Sequence, residues 1–163
     1  MRDYSISVHF ARAVLKNAVA QGLDPIDLMR KNRISPRLLL EDSARISIER
    51  FADLQTNTMQ AMGDEALGYM SRKIPIGAWS MMCQAVISSE TLGQAINRYC
   101  RFYQLFDFGT QPHLEFVNES ARIRLREIDT LTADNQYIQE MTLFFAHRFC
   151  SWLAQEHLPA QEV

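Results

Sequence analysis

Three cysteines, four histidines and a dense set of aromatic and methionine side chains are the groups of this 163-residue chain that could do chemistry or hold a molecule. Nucleophilic catalysis needs a serine or cysteine, a histidine base and a carboxylate to orient that base. Cys83, Cys100 and Cys150 sit among apolar residues, where a thiol packs rather than attacks, and no Gly-x-Ser-x-Gly turn is present. No catalytic residue is therefore assigned, and the chain reads as a non-enzyme. The nearest approach to a metal pair is His147 and Cys150, one helical turn apart. Two ligands do not make a site, and His9, His113 and His157 fall on other elements, so neither metal nor cofactor is expected. The six glycines are scattered rather than gathered into a phosphate-cradling loop.

The block from Lys73 to Phe108 carries most of the remaining signal. It reads as two apolar helices joined by the capped turn Ser88-Ser89-Glu90-Thr91, and its buried faces are aromatic and Met-rich. Trp79, Met82, Tyr99, Phe102 and Tyr103 from these helices, with Phe145 and Phe149 from the last helix, form a candidate ligand pocket. Tyrosine hydroxyls in an apolar site can orient a ligand, and methionines adapt to irregular shapes. Most of these residues are expected to be core as well, and plain packing is the reading against which the pocket is set.

Arg30, Lys31, Arg33 and Arg37 cluster where two short helical pieces flank a turn, so a self-contained helix-turn-helix DNA-binding module using residues 25–40 is the runner-up function. Such a reader lays its second helix in the major groove. Here that piece, Pro36-Arg-Leu-Leu-Leu40, is short and apolar. The net charge of -2 and pI of about 6.1 also lack the basic excess of a nucleic-acid binder. Arg122, Arg124 and Arg126 make a basic stripe that suits a solvated strand protecting its edge. An enzyme acting on a small apolar substrate ranks last, for want of an acid, base or nucleophile pair.

These groups need elements to position them. Apolar spacing predicts a helix over 8–21, with Val8, Ala11, Val14, Leu15, Ala18 and Val19 on one face. Asp24 and Pro25 open a short helix, and Ser35-Pro36 opens a further turn. Ser47 caps a long helix whose face is Ile48, Phe51, Ala52, Met59 and Met62, and Asp64 is expected to cap another with Leu67 and Met70. A helix over 78–87 precedes the Thr91-Leu-Gly-Gln94 capping box. That box starts a helix with Leu92, Ala95, Ile96, Tyr99, Tyr103 and Phe106 in register. The period then shortens to two, giving a β-hairpin from His113–Val117 and Arg122–Arg126, with Leu114, Phe116, Ile123 and Leu125 inward. A last helix, over 133–156, is expected to bury Tyr137, Ile138, Met141, Phe144, Phe145, Phe149, Trp152 and Leu153. The fold class is thus α+β, predominantly α: a helix bundle with a small antiparallel β-hairpin.

A hydrophobic fraction of 47% supports a core without disulfides or metal. Three widely spaced cysteines fit free thiols in a reducing cytoplasm. No signal peptide opens the sequence, and no apolar run approaches the roughly 18 residues of a membrane helix, so no membrane partner is expected.

Several stretches, in order, carry a family resemblance: Gly22-Leu-Asp-Pro-Ile-Asp-Leu28, Ile34-Ser-Pro36, Ala44-Arg-Ile-Ser47, Met62-Gly-Asp-Glu-Ala-Leu-Gly68, Ile76-Gly-Ala78, Ser88-Ser-Glu-Thr-Leu-Gly-Gln-Ala95 and Tyr103 to Asp107. Over about residues 8–155 the chain resembles the N-terminal arabinose-binding-like domain of AraC-type bacterial transcriptional regulators. The resemblance implies an effector-sensing domain, residues 1–158, followed by a frayed tail, 159–163. It implies a small-molecule effector, a homodimer and a cytoplasmic location. DNA would be bound only through a C-terminal domain of two helix-turn-helix motifs, absent from this chain, and the sensor itself reads as truncated. The stretch Trp79-Ser-Met-Met-Cys83 is bulkier than the small-residue pattern associated with that family's helix.

Overall fold

A computed structural model describes residues 4–106, 110–118, 120–127 and 136–160. Asp107, Phe108, residues 133–135 of the expected last helix and residues 161–163 of the tail lie outside the described residues. The fold is predominantly α-helical with a small β component, as expected. The chain groups into two compact units: residues 1–69 with 73–76, and residues 70–72 with 77–163.

In the first unit, strand β1 (Ser5–Ser7) pairs antiparallel with β2 (Arg45–Ser47), Ile6 opposite Ile46. Three residues each are too few to show a period of two in the sequence. Helix α1 (Val8–Ala20) starts at Ser7, whose side chain accepts the His9 N–H. It buries Val8, Ala11, Val14, Leu15 and Ala18, while Val19 is exposed. Asp24 accepts the Ile26 N–H to cap α2 (Pro25–Lys31), with Pro25 in the first turn. Pro36–Leu40 forms a 3-10 turn.

Helix α3 (Ile48–Met62) is capped by Ser47 through the Arg50 N–H and closed by Gly63 in the left-handed conformation at φ 61°. Its buried row is Phe51, Leu54, Thr58 and Met62, whereas Ile48 and Ala52 are exposed. The helix is therefore rotated from the expected face. Thr58 joins the core because its hydroxyl donates to the Leu54 carbonyl at 2.7 Å, which removes the penalty of burying it.

Asp64 does not cap a helix. It is buried, and its carboxylate accepts the backbone N–H groups of Ala66 (2.9 Å), Gly68 (2.7 Å) and Ile74 (2.9 Å). Leu67 and Gly68 both have positive φ, 53° and 74°. The segment is held on α1 by Asn17, which donates to the Leu67 carbonyl at 3.0 Å, and by the Tyr69 hydroxyl, which donates to the Ala13 carbonyl at 2.7 Å.

In the second unit, α4 (Ala78–Ile87) and α5 (Leu92–Gln104) form the predicted pair. The Thr91 hydroxyl accepts the Gln94 N–H at 3.2 Å. The Gln94 side chain reaches back to the Glu90 N–H, also at 3.2 Å, one residue earlier than the usual reciprocal box. Strands β3 (Thr110–Val117) and β4 (Ser120–Glu127) form an antiparallel hairpin with Leu114 opposite Ile123. Leu114 and Ile123 pack against the core and the hairpin lies on α5, where the Gln104 amide donates to the Pro112 carbonyl at 2.8 Å. Phe116, expected inward, is 71% exposed. Its ring lies near Gly93 on α5, where an added Cβ would come within 3.9 Å of it.

Helix α6 (Gln136–Ala154) differs most from expectation. It buries Tyr137, Ala146, Cys150 and Ser151, while Phe144 (55%) and Trp152 (56%) are exposed. Apart from Tyr137 the buried side chains are small, and the Phe144 and Trp152 rings lie outside that face.

Candidate functional site

The seven residues selected as a pocket come together in the second unit. Met82 on α4 and Tyr99 on α5 are sealed, with Tyr99 only 4% exposed. Trp79, Phe102, Tyr103 and Phe149 are half-buried against the same cluster. Phe145 lies at its rim, 39% exposed. Ring contacts link them: Trp79 meets Phe145 at 6.2 Å and Phe149 at 5.4 Å, and Tyr99 meets Tyr103 at 5.2 Å and Phe149 at 6.3 Å. Phe102 adjoins Tyr103 at 5.4 Å. Val86, Ala95, Ile96, Cys100, Ala146 and Cys150 complete the buried base.

The helical period explains the gathering. Tyr99 and Tyr103 are one turn apart on α5, as are Phe145 and Phe149 on α6, so each pair lies on one face. Trp79 and Met82 are three residues apart on α4.

The site is strongly apolar, and its ionisable groups record this. Burial pushes the Tyr99 phenol far above the usual tyrosine range, helped by the neighbouring Tyr103, Cys100 and Cys150. Burial also pushes the Cys100 thiol up to about 11, with Cys150 adding to the effect, and pushes Cys150 up to about 11. All three stay protonated at neutral pH. A thiol so placed is a poor nucleophile.

His147 and Cys150 are used separately. The His147 ring lies 2.8 Å from the Leu158 carbonyl, while Cys150 is in the core. Among the described residues no three His, Cys, Asp or Glu side chains converge as metal ligands would.

Residues 25–40 give α2 and the 3-10 turn. Arg12 pins that turn by donating to the Leu39 carbonyl at 3.1 Å through Nε and 2.8 Å through Nη2. The second piece is therefore not a helix that could lie in a groove. Arg122, Arg124 and Arg126 are exposed on the hairpin, and Arg124 lies 3.6 Å from Glu115 across the strands.

One feature lies outside the sequence expectations. An open groove of about 390 Å³ runs along the polar face of α5, lined by Ser88, Glu90, Gln94, Asn97, Arg98 and Arg101. Its signal in the sequence is the polar spacing 94, 97, 98, 101, opposite the apolar row of the same helix. Arg98 already donates to the Ala85 carbonyl at 3.2 Å and the Ser88 hydroxyl at 3.0 Å.

Residues 22–163 match the family model of the arabinose-binding domain of AraC transcription regulators, N-terminal. The chain belongs to that family. The ornithine utilization regulator of Pseudomonas aeruginosa is 27% identical over 127 residues, covering 77% of this chain and 37% of the relative. This AraC-type domain thus spans little more than a third of the length of that curated relative. No solved structure matches the chain significantly. The aromatic cluster lies within the family match, and its transcription-regulator context makes the chain part of a regulatory, ligand-binding class of domain. Among the described residues no helix is long and apolar enough to cross a membrane.

Proposed function

We propose that this chain senses a small effector and dimerises on behalf of a bacterial AraC-type regulator. It acts in the cytoplasm, by binding rather than catalysis, and governs a DNA-binding domain carried outside these residues. Residues 1–158 serve as the sensor and 159–163 as a tail. The observation that carries the reading is the gathering of Trp79, Met82, Tyr99, Phe102, Tyr103, Phe145 and Phe149 into one cluster, open at Phe145, in a chain of this family. The likeness to an ornithine utilization regulator supports control of genes for the use of a small metabolite.

The mechanism is a population shift. The effector stabilises one packing of α4, α5 and α6 and so biases how two attached DNA-binding domains are presented. Couplings of about 1–3 kcal/mol suffice for such a switch. Dimerisation uses α6, whose exposed Phe144 and Trp152 offer apolar area on one helix.

Native mass spectrometry on freshly purified protein tests the proposal. The expected result is a dimer carrying a reproducible small mass that denaturation removes. A bare monomer, both for this chain and for a version extended toward the relative's full length, would overturn it.

A further inference from the structure

The groove along α5 lies on the face turned from the aromatic cluster. Gln94, Asn97, Arg98 and Arg101 project from one side of the helix, and Ile96, Tyr99 and Tyr103 from the other. At about 390 Å³ the groove falls within the range of roughly 300–1,000 Å³ that small-molecule sites occupy. Its lining is polar, and Ser88, Glu90 and the four α5 residues are all exposed. A hydrophilic molecule suits such walls, where an apolar one would bury little area.

Arg98 is set in place by the protein itself. Its Nη1 donates to the Ala85 carbonyl at 3.2 Å and to the Ser88 hydroxyl at 3.0 Å. Ala85 belongs to the last turn of α4, whose carbonyls lack partners within the helix. That contact occupies one nitrogen of a rigid, planar fork. With Nη1 anchored, the edge formed by Nε and Nη2 has a fixed orientation, and such an edge takes a carboxylate through two parallel bonds. Arg101 follows one turn along α5 and brings a second positive charge to the same wall.

Glu90 supplies the opposite charge. It comes two residues after Ser88, so its backbone lies within about 7 Å of the residue that anchors Arg98. The Gln94 side chain fixes the Glu90 N–H at 3.2 Å and so steadies this end of the groove. A carboxylate lining the groove repels a dianion and attracts a cation. Opposite charges a short distance apart match a molecule that carries both.

We propose that this groove binds a small zwitterion, an amino acid or short amino carboxylate, with its carboxylate on Arg98 and Arg101 and its ammonium group on Glu90. The site is separate from the aromatic cluster and does not depend on a ligand being held there.

Three probes test it. 5-Aminovalerate, valerate and glutarate share a carbon chain and one carboxylate, and differ at the far end: ammonium, methyl or a second carboxylate. Each is titrated into the protein at low ionic strength while the backbone amide signals of Gln94, Asn97 and Arg101 are followed by NMR. 5-Aminovalerate should bind about two- to fivefold more tightly than valerate, the worth of one exposed ion pair, and more tightly than glutarate. In Glu90→Gln the preference over valerate should vanish. In Arg101→Gln, which leaves the Arg98 contact with α4 in place, both should weaken by a similar two- to fivefold and the preference should persist. Equal binding of 5-aminovalerate and valerate to the native protein, or tighter binding of glutarate, would overturn the zwitterion assignment. A preference that survives Glu90→Gln would overturn the role of Glu90. Amide signals unmoved by all three probes would overturn the site itself, whatever native mass spectrometry finds for the aromatic cluster.

Discussion

Cys100 and Cys150 look inert in the sequence, set among apolar neighbours, and their burial explains why. It also makes stability depend on pH in a definite direction. An unfolded chain releases thiol protons near 9.0, while the folded protein holds them to about 11. Below pH 9 both states keep their protons and the stability is whole. Between about 9 and 11 the unfolded state gains by ionising, so stability falls as pH rises. We expect a loss on the order of 1 kcal/mol per thiol across that window, after allowing for solvent screening. Urea titrations of the native chain and of Cys150→Ala will show it: the variant's pH profile should be the shallower. Other residues were less legible. Phe144 and Trp152 were expected inside because α6 is apolar on nearly every side. Periodicity cannot rank the faces of such a helix. The choice falls to packing, which selects Ala146 and Cys150 for the seam.

The elements that sequence reasoning recovered best are those with a cap and a full turn of periodic residues. Ser47, Asp24 and Thr91 all accept the backbone N–H groups that their positions predict. The α4–α5 pair and the hairpin followed, and with them the residues of the candidate pocket. The segment from Gly63 to Ile76 departs from the expected helix, because an aspartate after a glycine looks like a new helix cap. Its structure depends instead on the distant Ile74 N–H, which no local pattern reports. Asp64 organises the segment as three hydrogen bonds around one carboxylate. Asp64→Ala should therefore cost about 3 kcal/mol, since it strands three donors of which two are buried. Asp64→Asn should cost less, because its amide oxygen still accepts. Chemical denaturation of both variants checks the order; equal losses would mean that the carboxylate is not the organiser.

For the whole molecule, a predominantly helical fold was evident from the sequence. The grouping into two units was not, because periodicity records which face of an element is buried and not what it is buried against. The assembly prediction belongs at this scale. If α6 joins two copies, the double variant Phe144→Glu with Trp152→Glu should be monomeric by sedimentation velocity. Its circular dichroism should be unchanged, since both side chains are already exposed. A persistent dimer would move the interface elsewhere. The placement of the aromatic residues also has a spectroscopic consequence. Both tryptophans of the chain, Trp79 and Trp152, lie against Phe149, at 5.4 and 6.0 Å. All the indole emission therefore originates in the second unit. A fluorescence melting curve is a record of α4 to α6, and far-ultraviolet dichroism must be measured beside it for α1 to α3 to be heard.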